Sequence, residues 1–196
     1  MTTVLIVLFL LLGYLIGALP TGYLVVKRMT GQDIRQIGSG GTGATNVRRV
    51  VGKQAALFVL LVDFHKGFIP VVLAQKCLPG HYWVHIAVAL LAMVGHSRSI
   101  FLGFTGGKSA ATGLGAMLAL SWPVALICGV MAYLLTKTTK IQAIGSLTAT
   151  LLSPVLAYFF HIPKAYLVFT ILSAVMVTYL HKGNIIRLIR GRENSI

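Results

Sequence analysis

Acidic side chains are nearly absent from this sequence. Asp33, Asp63 and Glu193 are the only carboxylates in 196 residues, against 17 lysines and arginines, for a formal charge of +14. No loop therefore offers a convincing carboxylate base. Cysteine is equally scarce. Cys77 and Cys128 are the only two. They are expected at different depths, which argues against a disulfide, and neither has metal-ligand spacing. The sequence thus implies neither metal nor cofactor. No internal repeat is evident, and no soluble domain exists beyond loops and a short tail. The cations are scattered between apolar runs rather than gathered in a basic domain, so nucleic-acid binding is set aside.

The apolar runs dominate what is present. Apolar residues make up 57% of the chain, charged residues only 10%, and the mean hydropathy is +0.87. Those values describe an integral membrane protein. Candidate spans are Val4–Val26, Ala55–Gln75, Tyr82–Phe101, Ser109–Leu120, Pro123–Thr136, Ser146–Phe160 and Pro163–Leu180. The expected fold is an all-α membrane protein of seven transmembrane helices, forming one polytopic domain over residues 1–196. Pro123 supports a break between the fourth and fifth spans, since proline suits a first helical turn. Residues 1–20 lack a basic n-region and an A-x-A site, so they read as the start of a retained span rather than a signal peptide. Gly13 and Gly17 offer a face for close helix packing.

Cation placement sets the orientation. With seven spans, fourteen of the 17 lysines and arginines share one side, Lys76 and Lys164 face the other, and Lys66 lies within the second span. The N-terminus is therefore expected outside and the C-terminus in the cytoplasm, in contact with anionic headgroups of membrane lipids.

Three cytoplasmic segments hold the unusual polar residues. The first is Gly38-Ser39-Gly40-Gly41-Thr42-Gly43-Ala44-Thr45-Asn46, followed by Arg48 and Arg49. Glycines expose backbone N–H groups, and the cations add positive charge, a combination suited to phosphate. Gly38, Gly40 and Gly43 spell G-x-G-x-x-G, but no strand precedes them, so a dinucleotide site is excluded. The second segment runs from Gly95-His96-Ser97-Arg98 to Gly106-Gly107-Lys108-Ser109. It imitates the end of a Walker A motif, yet Leu102 stands where the first glycine is required. Lys108 is expected at the head of a helix too short to cross the bilayer, facing a cavity. The third segment is His181-Lys182-Gly183-Asn184 with Arg187 and Arg190. On a helix His181, Asn184 and Arg187 share roughly one side. Ser146, after Gly145, either donates into the same region or caps the sixth span. Asp63 and Lys66 are expected to pair inside the second span, because charges there are costly alone. His81, His85 and His161 fall toward the outer side.

These motifs, in this order, resemble the bacterial acyl-phosphate–glycerol-3-phosphate acyltransferase family, the PlsY type. The likeness rests on Gly38–Asn46 with Arg49, on Asp63-Phe64-His65-Lys66-Gly67, on Gly106-Gly107-Lys108-Ser109-Ala110-Ala111-Thr112, on Gly145-Ser146, and on His181-x-x-Asn184-x-x-Arg187. It covers essentially the whole chain. Two positions depart from the family, which commonly has Asn where Gly41 stands and Glu where Gly183 stands. The second departure implies that a carboxylate at that position is dispensable.

The resemblance implies an enzyme of the bacterial inner membrane. Acyl phosphate and sn-glycerol 3-phosphate would give 1-acyl-glycerol 3-phosphate and inorganic phosphate, without a cofactor. By carry-over, Ser39, Gly40, Gly41, Thr45, Asn46, Arg49, Gly107, Lys108, Ser146, His181 and Asn184 would bind substrate, with Lys108, His181 and Asn184 nearest the chemistry. The His-x4-Asp pair of thioester-using glycerolipid acyltransferases is missing: Phe101 lies five residues after His96, and Ile186 five after His181. Direct attack by the glycerol hydroxyl, with its proton passing to a phosphate oxygen, is the expected mechanism. His181 as general base is the rival. A transporter for phosphate or a phosphorylated solute is the alternative function, since it too would show glycine-rich basic breaks in helices.

Overall fold

The computed structural model describes residues 1–195, and they are helical almost throughout. The helices are α1 (Thr2–Ala18), α2 (Thr21–Thr30), α3 (Ala44–Val51), α4 (Lys53–Cys77), α5 (Tyr82–Ser97), α6 (Ala110–Leu120), α7 (Trp122–Thr139), α8 (Gln142–Phe159), α9 (Lys164–Leu180) and α10 (Lys182–Ile189). Among the described residues the only β pairing is a single bridge between Ser99 and Thr105.

The expected spans fall on helical segments, the first of them on two, and the helices differ in reach. By length and hydropathy, Thr2–Thr30, α4, α7 and α8 can each cross a bilayer, and α9 with α10, bent by 63°, makes a fifth. Helices α5 and α6 are apolar but shorter, at 16 and 11 residues. At 1.5 Å per residue α6 spans about 16 Å, roughly half of a ~30 Å hydrocarbon core. Pro123 does lie in the first turn of α7, where its missing N–H costs no bond. Much of the outer surface is apolar, with Leu8 and Leu15 on α1, Phe58 and Leu61 on α4, and Leu126 and Val130 on α7 all exposed.

Small residues let the helices approach. A Cβ on Gly17 would collide with the Ala92 backbone of α5, and Gly13 abuts Val88 of the same helix. Between α4 and α6 the contact is reciprocal. Gly67 meets the Thr112 backbone, and Gly115 meets that of Phe64. Interfaces of this kind gain van der Waals contact where lipid supplies no hydrophobic drive. The main core then fills around Val71, Met93, Met117, Val124 and Phe169.

The first expected span, Val4–Val26, is not one continuous helix. Pro20 has no N–H to donate, so α1 ends at Ala18 and α2 begins at Thr21. The Leu19 N–H turns back to Ile16 O at 3.3 Å. Two carbonyls at the break gain side-chain partners from other elements. Ser99 Oγ donates to Ala18 O at 2.6 Å, and Lys66 Nζ donates to Leu19 O at 2.5 Å. The Lys66 ammonium also lies 2.6 Å from Asp63 Oδ1, with both side chains 3% exposed. The expected Asp63–Lys66 pair is therefore present, and it bridges α4 to the broken helix.

Removing one partner of such a pair strands a buried charge, at a cost of about 3–5 kcal/mol. Asp63→Ala is expected to lower the thermal unfolding temperature in a fixed detergent markedly. Adding Lys66→Met to that variant should recover part of the loss. An unchanged transition in Asp63→Ala alone would show that the pair does not hold this junction.

Candidate active site

The glycine-rich segment is built around Asn46. Its Nδ2 donates to Ile37 O and Gly41 O, both at 2.9 Å, and its Oδ1 accepts from the Ser39 N–H at 3.1 Å. The residue is 2% exposed. One amide thus ties both ends of the loop, and a Cβ at Gly38, where φ is +61°, would strike its Oδ1 atom. Asn46 lines the cavity, and its nitrogen donors go to loop carbonyls, so it also shapes the loop. The Gly40 N–H is likewise occupied, by Ile37 O at 3.1 Å.

The loop does not continue as an irregular segment through Arg49. It feeds α3, which carries Thr45, Asn46, Arg48 and Arg49. Gly43 has extended backbone and precedes the first turn. Among the described residues the N–H groups of Gly41 to Thr45 donate to no protein acceptor. A run of unpaired amides at the positive end of a helix dipole attracts an anion.

The second segment is pinned from beneath. The Gly107 N–H donates to His96 O at 3.0 Å, and any Cβ at 107 would overlap the His96 imidazole. His96 Nδ1 in turn lies 3.7 Å from Asp63 Oδ1. Ser109, at a left-handed φ of +60°, donates its hydroxyl to Met93 O at 2.7 Å. Between these anchors Lys108 is held on the loop just before α6. Its ammonium has no hydrogen-bond partner among the described residues. Burial holds its pKa below the ordinary lysine value, and the Arg187 charge acts in the same direction. Arg35 joins the first segment to the second by donating to Leu102 O at 3.1 Å. The side-chain hydrogen bond from Arg35 keeps the Asp33 carboxyl below its usual pKa.

The third segment starts at the bend after α9. His181 Nδ1 lies 2.8 Å from Val177 O. A carbonyl can only accept, so Nδ1 carries the proton and Nε2 keeps a free lone pair. Burial pushes the His181 pKa down to about 4, against the opposing pull of that backbone bond. Asn184 follows on α10. Ser146 is not the cap of α8, which begins four residues earlier at Gln142. It lies one turn inside, 8% exposed.

The three segments converge on one cavity of about 520 Å³, within the range of small-molecule sites. Ser39, Gly41, Thr45, Asn46, Arg49, Gly107, Lys108, Ser146, His181 and Asn184 all line it, and Gly40 does not. Its far part is apolar, walled by Leu57 and Leu60 of α4, Leu114 and Met117 of α6, Ala149 of α8 and Phe169 of α9. Leu57 and Leu60 are also 57% and 44% exposed on the outer surface, so this wall borders the apolar exterior.

Asp63, His96 and Glu193 of the tail also line the cavity, among residues that sequence reasoning did not assign to the site. The signal for Glu193 was its rarity, as one of only three acids in the chain. His85, read as lying outside the site, is fully engaged elsewhere. Its ring nitrogens lie 2.9 Å from Tyr166 Oη and 2.8 Å from Leu78 O.

A polar, cation-rich mouth continuous with an apolar hollow in a membrane protein is equipment for joining a phosphorylated headgroup to a hydrocarbon chain. Comparison with known proteins gives the same class. The glycerol-3-phosphate acyltransferase family model matches residues 7–191. The chain belongs to that family, and is with it a membrane-embedded acyltransferase. Similar proteins include the glycerol-3-phosphate acyltransferase of Synechococcus sp. (strain JA-3-3Ab), 48% identical over 94% of this chain and 90% of that protein. That of Crocosphaera subtropica is 41% identical over 95% and 91%. The crystal structure of PlsY (YgiH), an integral membrane glycerol 3-phosphate acyltransferase, in its glycerol 3-phosphate form superposes with a TM-score of 0.93 at 34% identity. It covers 97% of this chain and 95% of PlsY. The lysophosphatidic acid form gives 0.90 at 32% identity over the same shares.

Proposed function

We propose that this chain transfers a fatty acyl group from an acyl phosphate to the 1-hydroxyl of sn-glycerol 3-phosphate. The products are 1-acyl-glycerol 3-phosphate and inorganic phosphate. The observation that carries this reading is the cavity that joins Lys108, Arg49 and the free-amide residues Gly41, Gly43, Ala44 and Thr45 to an apolar hollow. One relative, PlsY (YgiH), crystallised in glycerol 3-phosphate and lysophosphatidic acid forms, supports it.

Lys108, Arg49 and the amides bind phosphate. His181 Nε2 and Asn184 accept hydrogen bonds from the glycerol hydroxyls, and Ser146 lends its hydroxyl. The acyl chain lies against Leu57, Leu60, Leu114 and Met117, entering from the lipid side. The glycerol oxygen attacks the acyl carbonyl carbon, and the bond from that carbon to the phosphate oxygen breaks. The departing phosphate takes the hydroxyl proton. The donor is a mixed anhydride with a good leaving group, so positioning and charge stabilisation suffice. His181 is a poor general base at neutral pH, because catalytic efficiency is best with a pKa near the working pH.

We also propose seven crossings, with the N-terminus outside and the site facing the cytoplasm of a bacterial inner membrane. The cation distribution supports this orientation. The exposed Tyr82, Trp83, Trp122, Tyr158 and Phe159 lie at the opposite helix ends and support a membrane interface there.

Three measurements test these readings. Purified protein given palmitoyl phosphate and glycerol 3-phosphate is expected to release lysophosphatidic acid and phosphate in equal amounts, and to leave palmitoyl-CoA unused. Comparable use of palmitoyl-CoA would sink the donor assignment, and phosphate handling without acyl transfer would favour the transporter.

His181→Gln is expected to keep measurable turnover. The wild-type rate should show no limb near pH 6.5 that the variant lacks. With its pKa near 4, His181 stays a neutral acceptor above that pH and loses this role only as pH falls through about 4. A limb near 6.5 present only in the wild type, with a hundredfold or greater loss in the variant, would make His181 the base.

Cys77 is exposed at the end of α4, whereas Cys128 is buried. An impermeant maleimide is expected to label Cys77 in right-side-out vesicles. Labelling confined to inverted vesicles would reverse the orientation.

A further inference from the structure

Beyond α10 the chain turns back on itself. Gly191 adopts a left-handed φ of +63°, its N–H bonds to Leu188 O at 3.0 Å, and the Arg192 N–H bonds to Arg187 O at 2.8 Å. This reversal returns Glu193 to the cavity rim with its side chain only 4% exposed. One carboxylate oxygen accepts from Asn184 Nδ2 at 2.8 Å, and the other accepts from Arg187 Nε at 2.8 Å. The next residue is held from the far side of the site, where Arg49 Nη2 donates to Asn194 O at 3.2 Å.

We infer that Glu193 is a positioning residue for the acceptor end of the site, acting by fixing the amide of Asn184. The inference rests on the proposed role of Asn184 toward the glycerol hydroxyls. The two ends of an asparagine amide differ only in hydrogen-bonding character. An ionised carboxylate only accepts, so the Asn184 atom facing Glu193 must be the nitrogen. The Asn184 oxygen is then left over as an acceptor in the cavity that His181, with its free Nε2, also lines. Two acceptors in one cavity suit hydroxyl groups. A flipped amide would present a donor there and repel a hydroxyl proton.

The rival reading is a tail that plugs the anion site, its carboxylate mimicking phosphate. The bonding opposes this. Glu193 engages Asn184 and Arg187, while the Lys108 ammonium stays without a partner among the described residues.

The test uses full-length wild type, Glu193→Ala and Glu193→Gln in one detergent, with elution profile and unfolding temperature checked. Palmitoyl phosphate and glycerol 3-phosphate are varied separately. Glu193→Ala is expected to lower kcat/KM for glycerol 3-phosphate by about tenfold or more, with KM for palmitoyl phosphate within about twofold of wild type. Glu193→Gln should recover much of the loss, since its amide oxygen still accepts from Asn184. In an Asn184→Ala background, Glu193→Ala should cost less than about twofold, because its target is gone. Unchanged or improved kcat/KM in Glu193→Ala would overturn the inference, with improvement marking a plug. So would a full, additive loss in the Asn184→Ala background. A wild-type protein that forms no lysophosphatidic acid would instead overturn the proposed function.

Discussion

The buried Asp63–Lys66 pair is the constraint on which the site depends. A lone ammonium inside a helix bundle is too costly to persist, and so is a lone carboxylate. Together they are tolerable only because further groups complete their bonding. Lys66 spends a second donor on Leu19 O, a carbonyl at the break that Pro20 creates. Asp63 faces His96, whose backbone and ring hold Gly107. The helix break, the second span and the Lys108 loop are thus one connected polar assembly within an apolar shell. A membrane interior enforces such closure, since no water is at hand to satisfy what the protein leaves open.

The same logic explains which groups remain open. Asn46, Ser99 and Ser109 spend their polar atoms on neighbouring backbone, and so become structural. The Lys108 ammonium, the amides from Gly41 to Thr45 and the His181 Nε2 atom are left without protein partners among the described residues. Unpaired groups of this kind are expensive unless a ligand completes them. Their number and sign describe that ligand: strong donors and cations at one end, neutral acceptors at the other. That is the profile of a phosphate attached to hydroxyl-bearing carbon.

Much of this was legible in the sequence, for identifiable reasons. Long apolar runs favour helices in a bilayer, so the expected spans fell on helical segments, the first of them on two. Glycines beside cations marked a segment that lines the cavity. The break at Pro20 was less visible because the residues around it are as apolar as the helix. Helix α3 was hidden because its sequence, ATNVRRVV, is polar on one face and short. Its stability comes from packing Val47 beside Val26, Ile34 and Val59, contacts that no local pattern reveals. The loop-shaping bonds of Asn46 were not legible, because a buried amide and a binding amide share one composition. Only the positions of the Ile37, Gly41 and Ser39 backbone groups reveal them.

Glu193 illustrates the remaining gap. Its sequence neighbours, Arg190 and Arg192, suggest a solvated tail at a lipid surface. The turn at Gly191 instead reverses the chain and delivers a carboxylate to an asparagine nine residues back. In a site dominated by Arg49, Lys108 and Arg187, a fixed carboxylate offsets part of the repulsion among the cations before any substrate arrives. It must do so without quenching the cations proposed to bind phosphate. The geometry meets both demands, because Glu193 takes Arg187 and the Asn184 amide and leaves Lys108 open. The proposed acyl phosphate donor would make such an arrangement sufficient. Its leaving group is activated before binding, so the protein has no need to generate a strong nucleophile. What it must supply is an ordered set of donors and acceptors, and most of the polar contacts described above serve to hold that order.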